Sequence, residues 1–292
     1  MPAYSTGVPD RGQKTARSFA PPTSGGRWGR CLRDGALLVA LMAAAALAAP
    51  NPRVQELAQH PEKFPEVLRE VRERYRQEVR HYSARLFRRQ NKPVETPTGL
   101  GKVERIRFRM RERGGPWAVY MYWEKGPNEG VEALYVQGKY DDKITVKHPL
   151  FRLLPPFSFA VDDPTVMKEN RHPVTKAGIG RLLDSLLEQC ELAELKGDAA
   201  SAFQYLGPGE VSGRPTVKIV RELPHRPDYY CWKAVVELDL EWGYPVKITT
   251  VNWKGVILEQ IIYEDVKWNE ESLTDDRFDK DKVFSILKVL GP

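Results

Sequence analysis

The sequence predicts an α+β protein in which a long antiparallel sheet packs against a central helix and an N-terminal one. Three observations carry this. Residues 81–161 and 203–266 break into short alternating runs joined by turns too brief for parallel crossovers. Between these groups, Ile179, Leu182, Leu183, Leu186, Leu187 and Cys190 fall at i, i+3, i+4 spacing, one apolar helix face. Ahead of both, residues 51–77 place Val54, Leu57, Phe64, Val67, Leu68, Val71 and Tyr75 at helical intervals among Arg and Glu.

The first 34 residues are rich in Gly, Pro, Ser and Arg and show no periodicity, whereas residues 35–49 are nearly all Ala, Leu, Val and Met. An apolar run that short fits a secretory signal better than a membrane span. Arg27, Arg30 and Arg33 precede it, and Ala46-Leu47-Ala48 forms a small-residue cleavage site. Residues 1–48 are therefore expected to be an export signal with a long disordered basic leader, cleaved or retained as an anchor, and residues 49–292 a single domain.

The net charge of +6 and the pI near 9.1 overstate the basicity of that domain. A leader surplus of +4, taken from +6, leaves about +2, which gives no electrostatic case for nucleic acid. With 41% hydrophobic residues and a mean hydropathy of −0.49, the composition is that of an ordinary globular protein.

Pro61 and Pro65 split the N-terminal helical region into a short helix and a longer one running from about Pro65 to Val79. Strand patterning starts after His81, with Tyr82, Ala84 and Leu86 on one side. Residues 103–111 then alternate strictly: Ile106, Phe108 and Met110 face one way, and Arg105, Arg107, Arg109 and Arg111 the other. The arginine row reads as a solvated outer face with Glu104 and Glu112 as neighbours, or as an anion or lipid-headgroup contact. Residues 117–123 are apolar or aromatic on both sides, so that strand should be covered on both faces. Strands at 132–137 and 143–147 follow, and the apolar residues 150–161, broken by Pro155 and Pro156, form an edge strand or a mobile loop across a cavity. Beyond Gly197, strands are expected at 203–206, 216–220, 231–240, 245–251 and 256–266, then a charged turn and a closing segment at 283–290.

The central helix is approached through Glu169-Asn170-Arg171-His172-Pro173-Val174. Pro173 suits a first helical position, and Asn170 or Thr175 could cap the free amides. Gly178 and Gly180 would then sit in the first turns, at a propensity cost of roughly 1 kcal/mol each. Close approach of a strand or a ligand should compensate for them.

Catalytic templates fail on spacing. His60, His81, His148, His172 and His225 are scattered, with no metal-ligand spacing among them. There is no G-x-S-x-G, no P-loop and no dinucleotide fingerprint, so neither a cofactor nor a metal is expected. His172 has a suggestive neighbourhood in Arg171, Asp162, Asp163 and Glu169; it could be a general base or could simply orient the loop entering the helix. After the leader two cysteines remain, Cys190 on the central helix and Cys231 in a strand, either paired or buried as free thiols.

Residues 125–139, with Glu-Gly-Val-Glu-Ala-Leu-Tyr-Val-Gln-Gly-Lys at their centre, Asn170-Arg171-His172-Pro173-Val174-Thr175 with the following Gly-Ile-Gly-Arg-Leu-Leu, and Leu238-Asp239-Leu240 before Tyr244-Pro245-Val246 resemble a secreted bacterial family, domain of unknown function 1571. That family is in turn similar to periplasmic lipoprotein carriers of the LolA and LolB type. The resemblance implies a curved antiparallel half-barrel wrapped partly around helices, with a concave lipid-accepting surface and no catalytic residues to carry over. An acyl-chain groove would be lined by Phe108, Met110, Trp117, Val119, Met121, Trp123, Leu182 and Leu186, or the same residues would close into a filled core.

Three functions follow in order of expectation. The first is a non-enzymatic exported protein of the periplasm or cell envelope that binds a lipid, a lipoprotein acyl chain or another apolar ligand. The second is a cell-envelope interaction domain with a filled core, and the third a secreted hydrolase using His172. A monomer with peripheral membrane contact or a retained N-terminal anchor is the expected state.

Overall fold

The computed structural model describes residues 49–91, 100–151, 153–198 and 203–285. The expected signal over residues 1–48 lies outside the described residues, as does most of the closing segment. Among the described residues no helix is long and apolar enough to cross a membrane.

The described residues open with a short helix α1 (Pro52–Glu56), whose first turn is capped by the Asn51 side chain accepting from Arg53 N at 3.0 Å. Helix α2 (Phe64–Glu78) buries Phe64, Val67, Leu68, Val71 and Tyr75, the stripe that the sequence spacing anticipates. Strands β1 (His81–Gln90), β2 (Glu104–Arg111), β3 (Ala118–Lys125), β4 (Glu132–Val136), β5 (Ile144–Lys147) and β6 (Phe157–Phe159) then form an antiparallel meander. The proline-broken stretch is thus an edge strand preceded by an exposed loop carrying Leu150, Leu153 and Leu154.

Helix α3 (Pro164–Met167), capped by Asp163, follows; the sequence reading missed it. The central helix α4 (Ile179–Leu195) starts at Ile179 and not at Pro173. Pro173 instead precedes a single 3-10 turn, Val174–Lys176, and Gly178 breaks the chain with φ +98 before the helix begins. Neither Asn170 nor Thr175 caps α4; its first amide, Ile179 N, donates to the Tyr82 hydroxyl at 2.8 Å. A Cβ on Gly178 would meet Met110 Cε at 2.5 Å, and one on Gly180 would meet Tyr75 Cε1 at 2.8 Å. Close approach of the sheet and of α2 therefore explains both glycines.

The second half adds β7 (Phe203–Val211), β8 (Arg214–Glu222), β9 (Lys233–Asp239), β10 (Pro245–Val251) and β11 (Ile257–Trp268), then α5 (Lys280–Val283). Strand β7 is longer than expected because Gly207-Pro208-Gly209 stays in the ladder, which an edge strand tolerates. Cys231 lies just before β9 rather than within a strand.

All strands join one sheet in the order β6-β5-β4-β3-β2-β1-β11-β10-β9-β8-β7, every pairing antiparallel. The sheet is curved and open, and it wraps its apolar face around α2 and α4, as the α+β expectation holds. Tyr82, Phe108, Met110, Leu183, Ile219 and Leu238 lie in that core with almost no exposure.

The arginine row of β2 does lie on the other face. Arg105 stacks over Phe87, Arg107 over Tyr122 with Glu124 as its ion-pair partner, and Arg109 over Tyr120. Glu104 and Glu112 are not its partners, because their even positions turn them to the concave side, onto Arg88 and Tyr75 respectively. The doubly apolar β3 is covered on its outer side by the chain end: Phe278, Val283 and Phe284 pack on Ala118, Tyr120, Leu134 and Val136.

Candidate functional site: a cavity under a hydrogen-bonded strap

Residues 164–178 cross the concave face as a strap, and named side chains hold it there. Arg88 Nη1 donates to Asn170 Oδ1 at 2.8 Å, Gln90 Nε2 to the Glu169 carbonyl at 2.6 Å, and Arg171 Nη1 to the Asn91 carbonyl at 3.0 Å. His172 Nε2 lies 3.0 Å from Glu259 Oε1 on β11. The Glu-Asn-Arg-His run is therefore the set of ties that fixes the strap to β1 and β11. The carboxylate facing His172 is Glu259, and the expected sequence neighbours Asp162, Asp163 and Glu169 do not take that place.

Beneath the strap and α4 the sheet is not covered tightly. A cavity of about 540 Å³ remains, so the core is not filled. Its floor is Leu86, Phe108 and Met121 near the centre, Trp123, Ala133 and Ile144 toward β5, and Ile219, Val236 and Ile248 toward β8. Val166, Val174, Leu182 and Leu186 form its roof. Its size falls within the range of roughly 300–1,000 Å³ typical of small-molecule sites.

Five of the eight residues expected to line a groove do so: Phe108, Met121, Trp123, Leu182 and Leu186. Met110, Trp117 and Val119 do not; all three lie in the packed core, with Met110 beside Gly178 and Trp117 beneath the Arg181 guanidinium at the start of α4. Met110 presses on Gly178, and Trp117 meets Tyr135 edge to face while its Nε1 donates to Glu112 at 3.2 Å. The C-terminal half of the wall, including Ile219, Val236 and Ile248, escaped the sequence reading. Its signal was present in the alternation of residues 217, 219 and 221 with 234, 236 and 238.

Polar side chains interrupt the wall, and several of them are tied to one another or to buried carboxylates behind it. Buried Glu104 accepts from Arg88 Nε at 2.8 Å, Trp123 Nε1 at 3.0 Å and Asn128 Nδ2 at 3.0 Å. Glu259, 5% exposed, accepts from the Tyr230 hydroxyl at 2.8 Å as well as facing His172. Burial alone would raise the Glu259 carboxyl, but hydrogen bonds from His172 and Tyr230, with Arg171 nearby, outweigh it and hold the group below its ordinary value. Arg171 Nε in turn donates to Tyr230 Oη at 2.9 Å, and burial pushes the Tyr230 phenol well up.

Cys190 and Cys231 both border the cavity, and both are free, so the open question of a disulfide is resolved against pairing. Burial pushes the Cys231 thiol up to about 12, which keeps it protonated and a poor nucleophile. Among the described residues no group of His, Cys, Asp and Glu is arranged to hold a metal ion.

A family model described as "Protein of unknown function (DUF1571)" matches residues 79–283. The chain belongs to this family. The match runs from just after α2 through every strand of the sheet to α5, so the cavity wall lies within it apart from Phe64 on α2. No curated protein matches the sequence. Among solved structures, the chain is similar to one in the complex of Pseudomonas aeruginosa MucA and MucB, with 16% identity and a TM-score of 0.43, covering 74% of this chain and 60% of that one. It thus spans about 60% of that chain's length. It is also similar to the Mycobacterium tuberculosis lipoprotein LppX, with 18% identity, a TM-score of 0.40, and 70% and 96% of the two chains covered. A LolA superfamily protein from Nitrosomonas europaea gives 10% identity and a TM-score of 0.28 over 80% and 99%. Likenesses at this level identify neither ligand nor partner.

Proposed function

We propose that this member of the family is a non-enzymatic binding protein that holds the acyl chain of a lipid or lipoprotein in the cavity under the strap, and that it works outside the cytoplasm. The observation that carries the reading is the cavity itself: about 540 Å³ of space with Leu86, Phe108, Met121, Trp123, Leu186 and Ile219 among its walls. Apolar walls with a few fixed polar groups are the usual composition of a lipophilic ligand site. The leader over residues 1–48 supports an exported site of action.

The test is mass spectrometry of organic extracts from the purified protein, followed by titration of the delipidated protein with a fluorescent fatty acid. A co-purifying lipid and saturable binding are expected, and Leu186→Trp, which fills the roof, should remove binding while leaving the circular dichroism spectrum unchanged. An empty extract together with no saturable binding would overturn the reading.

One observation favours a second reading, in which the domain meets a partner protein. The loop before edge strand β6 exposes Leu150, Leu153 and Leu154, with Phe157 on the strand itself. Exposed apolar side chains beside an open edge suit strand addition. Ser158→Pro in β6 would block such pairing, and a partner still retained by that variant would count against it.

A further inference from the structure

One rung of the concave sheet differs from those beside it. Reading across the register, Arg221 on β8 stands opposite Ala234 on β9, Ala234 opposite Thr250 on β10, Thr250 opposite Glu259 on β11, and Glu259 opposite Gln90 on β1. Directly opposed residues send their side chains to the same face. From β8 to β11 this rung is therefore polar at three of four positions, where the next, Ile219, Val236, Ile248 and Ile261, is apolar before it reaches Arg88 on β1. All four of Arg221, Ala234, Thr250 and Glu259 border the cavity.

Two members of the rung are answered within the protein. Glu259 is held by His172 and Tyr230, and Gln90 is bonded to the strap at Glu169 and Arg171. The other two are met less fully. Arg221 is 8% exposed; its guanidinium donates from Nη2 to the Gln189 carbonyl at 2.7 Å, makes a long contact from Nη1 to Cys190 Sγ at 3.8 Å and lies 5.5 Å from the centre of the Phe203 ring. Among the described residues no carboxylate forms an ion pair with it, although arginine is almost never buried without one. Thr250 is 3% exposed and its Oγ1 has no hydrogen-bond partner. Between them stands only the methyl group of Ala234, across two strand spacings of about 5 Å each.

A guanidinium without a carboxylate counter-ion, next to a buried hydroxyl without a hydrogen-bond partner, at one end of an apolar cavity suits a ligand with acceptor oxygens and a negative charge. We infer that Arg221 and Thr250 receive the acidic head, a carboxylate or a phosphate, of the acyl ligand, while its hydrocarbon runs under Leu186 toward Trp123. The planar fork of Arg221 suits two oxygens of one head, and the Thr250 hydroxyl donates to one of them. This inference rests on the acyl-chain reading above and narrows it from lipids in general to anionic amphiphiles.

The test compares palmitic acid, methyl palmitate and palmitoyl lysophosphatidic acid as ligands of the delipidated full chain. The acid, the phosphate, or both should bind at least about tenfold more tightly than the methyl ester, the effect expected of one charge-assisted hydrogen bond. The tighter of the two acidic ligands identifies the head. Arg221→Met should bring the acids down to the level of the ester without changing the ester itself, and Thr250→Val should weaken the acids several-fold. Equal binding of acid and ester by the unaltered chain would overturn the inference while leaving the acyl reading standing. So would an undiminished preference for acid in Arg221→Met. Failure of all three ligands to bind would instead overturn the acyl reading itself. The acid-against-ester comparison needs no variant, so it decides the question even where Arg221→Met does not fold.

Discussion

His172 and Glu259 are 87 residues apart in sequence, yet Nε2 of one lies 3.0 Å from Oε1 of the other, and the contact closes the strap against the last strand of the sheet. The carboxyl is nearly inaccessible and its folded value is lower than its unfolded one near 4.5. Its contribution to stability is therefore complete above the unfolded value and is lost as pH falls through the folded one. Glu259→Gln should cost roughly 1–3 kcal/mol at pH 7, the price of a buried charge-assisted bond. The difference from the unaltered protein should shrink toward zero in acid, where both side chains are neutral. Urea unfolding at pH 7 and at pH 3.5 checks this; a difference that stayed constant across the two would sink it.

Gly178→Ala should be far more damaging than Gly255→Ala. Both glycines have positive φ, +98 and +76, so each substitution strains the backbone by about 1 kcal/mol. At Gly255 a Cβ meets nothing within 4 Å, whereas at Gly178 it meets Met110 Cε at 2.5 Å and Tyr82 Oη at 3.1 Å. The second change also disturbs the hydroxyl that caps α4. An additional loss on the order of 2 kcal/mol is expected at Gly178 from overpacking. Equal denaturation midpoints for the two variants would contradict the tight packing under the helix.

Neither cysteine should react in the native protein. Burial raises both thiols, Cys231 to about 12, so the thiolate fraction at pH 8 is very small. Alkylation by iodoacetamide should leave Cys190 and Cys231 unmodified under native conditions and label both in urea. Rapid native labelling would show that the thiols are more accessible and more acidic than their surroundings imply.

Phe278→Ala should destabilise the fold and uncover the outer side of β3. Its ring, 3% exposed, packs with Val283 and Phe284 on Ala118, Tyr120, Leu134 and Val136, and the Arg111 guanidinium lies 5.0 Å from the ring centre. Truncating a buried phenylalanine costs roughly 3–5 kcal/mol. Increased binding of a hydrophobic dye should accompany the loss, and unchanged stability and dye binding would show that the chain end is dispensable.

Where side-chain alternation was strict, the sequence disclosed the structure closely: Ile106, Phe108 and Met110 do face the helices, and Arg105 and Arg107 do face outward. The α2 stripe from Phe64 to Tyr75 was equally plain, because a helix face is a local pattern. The start of α4 was misplaced because Pro173 is as compatible with a single 3-10 turn as with a helix. Only the positive φ that Gly178 supplies, a tertiary requirement imposed by Met110 and Tyr82, separates the two. The cavity was half visible for a related reason. Trp123 and Leu186 advertise themselves as apolar, whereas Thr250 and Arg221 gain their meaning from the register that sets them on one rung.

The sheet's centre is a seam between its first strand and its last, since β1 pairs with β11 while β2–β6 and β10–β7 extend outward on either side. Each wing is a succession of hairpins whose partners are near in sequence, but the seam joins Arg85 to Glu264 and Leu86 to Tyr263. Loop closure over such a distance is slow compared with hairpin formation. The two wings therefore form as half-sheets before the seam does. They can zip together only once β11 is available to β1, so the molecule stays unlatched until that strand has joined.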